Sequence, residues 1–337
     1  MKKYLFTLTA FILCFSGCAS SGKQNAVTLY TSVDVVIGAG TEWELPGILT
    51  LPKSKMPSGG YPAAVIVHGS GPGDMNGTAF AYQPYLDIAD FLSSNGIAVL
   101  RYNKRTFTHG VKMVEELGGS LTVAEETIDD VILASKMLKA NAMINENKVF
   151  MIGHSLGGML APRIQCAGAD FAGLILLAGS PRFLMDLSCD QNIDYIEHYM
   201  EGEEKTAALA DIANNWDEQI NTIVNLPDEI AKTVFISPGL SAYYLKDLFW
   251  HPVTMYLEDI NVPFLVLQGS SDFQVSPEKD FELYKELLAG RNNVTFILYE
   301  GLNHMFITST TGYLDEYEIP GNVDKKVLED ITNWILK

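Results

Sequence analysis

Lys148-Val149-Phe150-Met151-Ile152-Gly153-His154-Ser155-Leu156-Gly157-Gly158-Met159-Leu160-Ala161 is the stretch that decides how this chain is read. It begins as a short apolar run rich in strand formers and ends as the opening of a helix, so the serine sits on a strand-to-helix turn. Such a turn holds its central residue in a strained backbone conformation, and side chains two positions away would collide across it. Gly153 and Gly157 occupy those positions. Ser155 is therefore a candidate nucleophile.

A serine hydroxyl attacks poorly until a neighbouring imidazole takes its proton. The imidazole in turn needs a carboxylate that fixes its tautomer and stabilises its charged form. On turns of this type the partners follow the serine in the order acid, then histidine, each beyond a core strand. Residues 262–269 read as a buried strand, and Asp272 lies in the loop that follows; residues 294–299 read as another, and His304 lies in the next loop. Ser155, Asp272 and His304 thus take the roles of nucleophile, acid and base. Glu300 also stands beyond a strand but shares a short loop with His304, and it ranks below Asp272.

Acyl transfer also needs donors for a tetrahedral oxyanion. One is the backbone N–H of the residue after the nucleophile, Leu156. The other is expected from the loop His68-Gly69-Ser70-Gly71-Pro72-Gly73-Asp74, which follows a strand-like run at 62–67 and whose glycines let N–H groups face a substrate. Ser70 is the second donor on this reading. The glycine cluster lacks the Lys-Ser/Thr ending of a phosphate-binding loop.

With these residues in place the chain resembles the α/β-hydrolase superfamily over most of its length. More narrowly it resembles bacterial esterases of the serine aminopeptidase-like and dienelactone hydrolase-like kinds. The matching stretches are Glu44-Leu45-Pro46-Gly47, His68-Gly69-Ser70-Gly71-Pro72, Val99-Leu100-Arg101-Tyr102, Lys104-Arg105-Thr106, the nucleophile turn, and Gly301-Leu302-Asn303-His304. The segment around Arg101 often reads Arg-Tyr-Asp-Lys-Arg in that group, whereas Asn103 stands here in place of the aspartate. The resemblance implies ester hydrolysis by Ser155, Asp272 and His304, with Ser70 and Leu156 as oxyanion donors.

The chain has 337 residues, 47% of them hydrophobic, enough for a core on both faces of a parallel sheet. Strand-like runs recur at 27–37, 43–51, 63–67, 97–102, 149–152, 174–178, 263–267 and 295–299, with a glycine turn at 38–41 joining the first two. Helix-length segments such as 84–95 and 124–141 alternate with the later runs, and 323–337 reads as a terminal helix. This alternation predicts an α/β fold with a mostly parallel sheet flanked by helices. Residues 27–181 and 256–337 form the core on this reading. The interval 182–255 is far longer than a crossover needs and reads as a helical cap, with helices near 193–199, 206–225 and 227–233. Tyr243, Tyr244, Phe249 and Trp250 cluster near its end, where they either line an acyl or alcohol pocket or fasten the cap to the sheet.

The amino terminus reads as an address. Lys2-Lys3 precedes an apolar run at 5–15, too short to span a membrane, and Phe15-Ser16-Gly17-Cys18 resembles the lipobox of bacterial lipoproteins except that Phe15 replaces the usual leucine. Residues 1–17 are then a signal peptide, Cys18 carries lipid, and 18–26 form a tether. No acidic run follows Cys18, which places the expected location on the periplasmic face of the outer membrane rather than the cell exterior. Cys166 and Cys189 remain, and pairing between them is left open. The net charge is −18, or −20 once Lys2 and Lys3 are removed, which disfavours nucleic acid and anionic lipid as partners. Membrane association is expected only through Cys18.

Arg101, Lys104 and Arg105 either reach a substrate carboxylate or pair with acids such as Asp129 or Asp130, and pairing is preferred. His68 and His154 are read as hydrogen-bonding turn residues, since no metal-ligand spacing accompanies them. No metal and no organic cofactor is expected. The expected substrate is a small or short-acyl ester. An aminopeptidase or acyltransferase with the same triad, and a noncatalytic ligand-binding lipoprotein, are the alternatives.

Overall fold

The computed structural model describes residues 29–237 and 239–337. The signal-peptide, Cys18 and tether assignments lie outside the described residues. Among the described residues ten strands and eleven α-helices follow in chain order: β1 (Tyr30–Ile37), β2 (Leu45–Pro52), β3 (Tyr61–Val67), α1 (Pro84–Ser94), β4 (Ala98–Tyr102), α2 (Arg105–Glu116), α3 (Asp129–Lys139), β5 (Ile144–His154), α4 (Leu156–Ile164), β6 (Leu174–Leu177), α5 (Leu184–Tyr199), α6 (Gly202–Asn225), α7 (Asp228–Ala231), β7 (Phe235–Ser237), β8 (Leu240–Ser241), α8 (Ala242–Trp250), α9 (Thr254–Leu257), β9 (Phe264–Gly269), α10 (Glu282–Leu287), β10 (Val294–Tyr299) and α11 (Lys325–Leu336). Short 3₁₀ and π turns are interspersed, among them a π turn at Ala124–Ile128 that leads into α3.

Eight strands form one sheet in the order β1-β2-β4-β3-β5-β6-β9-β10. The first pairings, β1 with β2 and β2 with β4, are antiparallel, and every other pairing is parallel. All eight strand-like runs of the sequence correspond to strands of this sheet, with ends shifted by a few residues; β5 starts earlier than expected, at Ile144.

Successive residues of a strand face opposite ways, and both faces of this sheet are covered. In β3, Ala63, Val65 and Val67 enter one core with residues of α3 and α4, among them Val131 and Leu160. Ala64 and Ile66 enter the other with α1 and α11, among them Ile88 and Ile331. A third, smaller core, centred on Met185, Ile212, Trp216 and Leu245, joins α5, α6 and α8 within the interval between β6 and β9. That interval is mainly helical but also contains the two-stranded β7-β8 piece.

The start of this interval is pinned to the sheet domain by charge. Arg182 donates two hydrogen bonds to Asp280, at 2.7 and 2.8 Å, and also pairs with Asp190 at 2.9 Å. At its other end Arg163 of α4 makes a two-point pair with Asp247 of α8, at 2.6 and 2.9 Å. Cys166 and Cys189 are free thiols.

Candidate active site

The loops that follow β3, β5, β9 and β10 meet at the carboxyl end of the parallel strands, the place where open α/β sheets present their chemistry. β5 delivers His154, and Ser155 follows at φ 53° and ψ −118°, a conformation that L-residues adopt only under strain. Two contacts hold it there. The Ser155 N–H donates to the Leu177 carbonyl at 2.8 Å, and its own carbonyl accepts from the Met159 N–H at 2.9 Å. A Cβ on Gly153 would lie 2.4 Å from the Gly157 carbonyl oxygen, and one on Gly157 would lie 2.5 Å from that of Val67. Both glycines are therefore required by close backbone packing around the turn.

Asp272 and His304 are brought together as the sequence order anticipates. His304 Nδ1 donates to Asp272 Oδ2 at 2.8 Å, and both residues are buried, at 2% and 6% exposed respectively. This bond leaves Nε2 of His304 as the acceptor nitrogen. Asp272 Oδ1 accepts the N–H groups of Gln274 and Val275 at 2.8 and 3.0 Å. Its other oxygen also accepts from Gln268 Nε2 at 2.8 Å. Gln268 lies within β9, is buried, and in addition donates to the Val275 carbonyl at 3.1 Å, so it ties the acid loop to its own strand. Sequence reading passed over it; a glutamine inside an otherwise apolar strand was the available signal. Glu300 is exposed, beyond the end of β10, and takes no part in this network.

The loop that carries His304 has its own support. Asn303 is fully buried, its side-chain oxygen accepting the N–H groups of Met305 and Ile307 at 3.0 and 3.2 Å. Its amide donates to Glu316 at 2.6 Å. Glu316 further accepts from Ser309 Oγ and from the backbone N–H groups of Thr310, Thr311 and Gly312, at 2.9 to 3.1 Å. Burial pulls the Glu316 carboxyl upward, but these donors outweigh it and leave its pKa below the ordinary value.

His154 joins the nucleophile turn to both neighbouring loops. Its Nε2–H donates to the His304 carbonyl at 3.1 Å, while Nδ1 accepts from the Tyr85 hydroxyl, also at 3.1 Å. The same hydroxyl accepts the Gly69 N–H at 3.3 Å. Burial, with His304 close by, pushes the His154 pKa down to about 3, so the ring stays neutral. His68 donates Nε2–H to the Tyr102 carbonyl at 2.6 Å, and burial lowers its pKa to about 4. Both histidines are hydrogen-bonded into their turns.

Loop 68–74 lies directly against Ser155: a Cβ on Gly69 would sit 3.1 Å from Ser155 Cβ. Ser70 is thereby adjacent to the turn. Leu156 occupies the first position of α4, where an N–H has no carbonyl within the helix to bond.

The basic cluster is consumed internally. Arg105 makes a two-point contact with Asp130, Arg101 donates to Asn76, and Lys104 pairs with Glu126 at 2.8 Å. Asp129, one of the two acids anticipated, is exposed on α3. Asn103 accepts the Met75 N–H on its side-chain oxygen at 2.9 Å, a role that needs an acceptor but no charge. Of the four aromatics, Tyr244 is buried and donates to Glu126, Tyr243 lies under Lys232 at 5.0 Å, and Phe249 meets Phe183 edge to face at 5.3 Å. Trp250 is exposed. At least Tyr243, Tyr244 and Phe249 thus act as packing groups.

A model of the alpha/beta hydrolase family matches residues 64–313, a span that holds all five proposed site residues. The chain belongs to the alpha/beta hydrolase family. Esterase EstD of Thermotoga maritima is 37% identical over 296 residues, covering 87% of this chain; the chain spans 66% of that relative's length. Among solved structures, Est1E from Butyrivibrio proteoclasticus superposes with a TM-score of 0.54 at 16% identity, covering 90% of this chain and 97% of its own. Dipeptidyl peptidase 4 of Porphyromonas gingivalis gives 0.53 at 14% identity, covering 91% of this chain and 35% of its own. At such identities the likeness extends to the fold of this hydrolase, which an esterase and a peptidase share.

Proposed function

We propose that this hydrolase is a serine carboxylesterase acting on small or short-acyl esters. The observation that carries the reading is the buried Asp272–His304 pair, hydrogen-bonded at 2.8 Å and joined through His154 to the strained turn of Ser155. The 37% identity to a protein named as an esterase supports the same reading.

In the proposed reaction Ser155 Oγ attacks the ester carbonyl carbon as its proton passes to His304 Nε2. Asp272 remains ionised and stabilises the imidazolium. The negative charge formed on the carbonyl oxygen is met by the N–H groups of Ser70 and Leu156. Collapse expels the alcohol, which takes its proton from His304 and leaves an acyl group on Ser155. Water, deprotonated by His304, then attacks the acyl carbon, and a second collapse releases the acid and restores the serine.

The cap helices between β6 and β9 favour a site of limited volume and so short acyl chains. Lipid attachment at Cys18, with the chain on the periplasmic face of the outer membrane, remains part of the proposal. It rests on the sequence of residues 1–18.

The test is fluorophosphonate labelling together with kcat/KM over p-nitrophenyl esters of increasing chain length and over aminoacyl-p-nitroanilides. Wild-type labelling that disappears in folded Ser155→Ala, with greatest activity on short esters, is expected. Labelling that survives the substitution overturns the nucleophile assignment. Efficient anilide cleavage, or a maximum at long chains, overturns the substrate class.

A further inference from the structure

The peptide unit between Gly69 and Ser70 carries the Gly69 carbonyl and the Ser70 N–H on opposite edges of one plane. Whatever fixes the direction of the carbonyl therefore also fixes the direction of the N–H. Lys104 Nζ donates to the Gly69 carbonyl oxygen at 2.9 Å. The backbone N–H of Lys104 donates to the Gly73 carbonyl, also at 2.9 Å, so one residue holds both ends of the loop.

The Lys104 ammonium is buried, 2% exposed, and is paired with Glu126 Oε1 at 2.8 Å. Glu126 is buried as well, and its second oxygen accepts the hydroxyl proton of Tyr244 on α8. Burial, reinforced by the charge of Glu126, raises the Tyr244 pKa well above its ordinary value, which keeps that hydroxyl a donor. A buried ion pair contributes little net stability over apolar groups of the same volume, so stability alone does not account for a charged group at this position. Directed donation to one carbonyl does.

We infer that Lys104 is a positioning residue for the oxyanion loop: it holds the Gly69 carbonyl so that the Ser70 N–H faces the space beside Ser155, with Glu126 and the cap residue Tyr244 holding Lys104 in place. The inference rests on the serine esterase reading, in which Ser70 is an oxyanion donor. Loss of the ammonium frees the peptide to rotate, which carries the N–H away and turns a carbonyl dipole toward the developing negative charge.

The test uses the full chain with two variants. In Lys104→Met/Glu126→Gln both charges are removed together, so no buried charge is stranded; in Tyr244→Phe the pair stays and only the cap contact is lost. The measurements are kcat and KM for p-nitrophenyl acetate per fluorophosphonate-titrated site, and Ki for an aryl trifluoromethyl ketone, which forms a tetrahedral adduct on serine. The double variant is expected to lose about 10²-fold in kcat, at the lower end of what removal of an oxyanion donor costs, with KM within about threefold. The ketone Ki should rise by the same factor as kcat/KM falls, and Tyr244→Phe should move both in the same direction by about 3- to 10-fold. A purely structural role would reduce the fraction of active sites and leave kcat per site and Ki unchanged, and that result overturns the inference. If the double variant does not fold, unchanged kcat and Ki in Tyr244→Phe overturn it. Wild type that no fluorophosphonate labels removes the esterase reading and the inference together, whereas labelled wild type with unaffected variants removes the inference alone.

Discussion

His154 Nε2 lies 3.1 Å from the backbone carbonyl oxygen of His304, so the residue that precedes Ser155 also holds the loop that carries His304. The contact requires His154 to donate from Nε2 and accept at Nδ1 from Tyr85, which only the neutral ring does. A second proton on His154 breaks this arrangement.

Stability should therefore fall on acidification. The folded-state pKa of His154 is lowered to about 3 from an ordinary value of 6.5, so between those limits the unfolded chain binds the extra proton and the folded one does not. Stability from this group is complete above pH 6.5 and declines below it, by about 1 kcal/mol for each pH unit. His154→Gln, whose amide donates and accepts in the same sense without titrating, should make the profile shallower and leave the part contributed by His68. Urea midpoints measured from pH 7 to pH 5 check this; parallel profiles for the two proteins would refute it.

The strain at Ser155 predicts an unusual ordering of stabilities. At φ 53° and ψ −118° alanine retains the steric cost that serine has, while glycine does not. Ser155→Gly should unfold at higher urea than Ser155→Ala, by about 1 kcal/mol, with both inactive. Equal midpoints would mean that the turn is relaxed.

Replacing the acid separates Asp272 from Glu300. Asp272→Asn presents an amide to His304 Nδ1 and favours the wrong tautomer, with an expected loss on the order of 10⁴-fold in kcat. Glu300→Gln alters an exposed side chain outside the network and should change kcat by less than about twofold. The reverse order in kinetics on p-nitrophenyl acetate would move the acid to Glu300.

Glu316 should matter for the base loop through its charge. Its pKa lies below the ordinary 4.5, so the ionised form stabilises the fold above that value and the contribution is lost as pH falls through the lower, folded-state pKa. Glu316→Gln should cost about 2–4 kcal/mol at pH 7, because several donors lose a charged acceptor, and less near pH 3. Denaturation at the two pH values checks the sign; equal costs would show that the charge is not what holds the loop.

The inner strands of the sheet were legible because burial on both faces writes apolar runs, and the partly exposed edge strands β1 and β10 because they are rich in strand-forming residues. Helix α2 was passed over although Phe107, Val111 and Val114 stand at the i, i+4, i+7 spacing of a helix face; that face is exposed and not part of the core. The aromatics of α8 left two readings open, pocket lining or packing of the cap, because such side chains mark burial without saying against what; Tyr243, Tyr244 and Phe249 pack. In the candidate site, Ser155, Asp272 and His304 were proposed from their order along the chain, each just beyond a strand, and the structure pairs Asp272 with His304 and strains the turn of Ser155. Their supporting groups were not, since Gln268 and Glu316 act through loop conformations that no local pattern encodes. The basic cluster was expected to pair with acids such as Asp129 or Asp130; Arg105 meets Asp130, whereas Lys104 pairs with Glu126 in the π turn at Ala124–Ile128.

The direction of β1 bears on how the molecule would present itself. β1 is antiparallel to β2, which is antiparallel to β4, so β1 runs with the parallel strands and Tyr30 lies at the opposite end of the sheet from Ser155 and His304. Were the chain held by lipid on Cys18, the leash to Tyr30 would reach at most about 40 Å. The leash would then leave the sheet at the end opposite the mouth of the site, so that it would not obstruct that mouth and dissolved esters would reach Ser155 without passing the anchor.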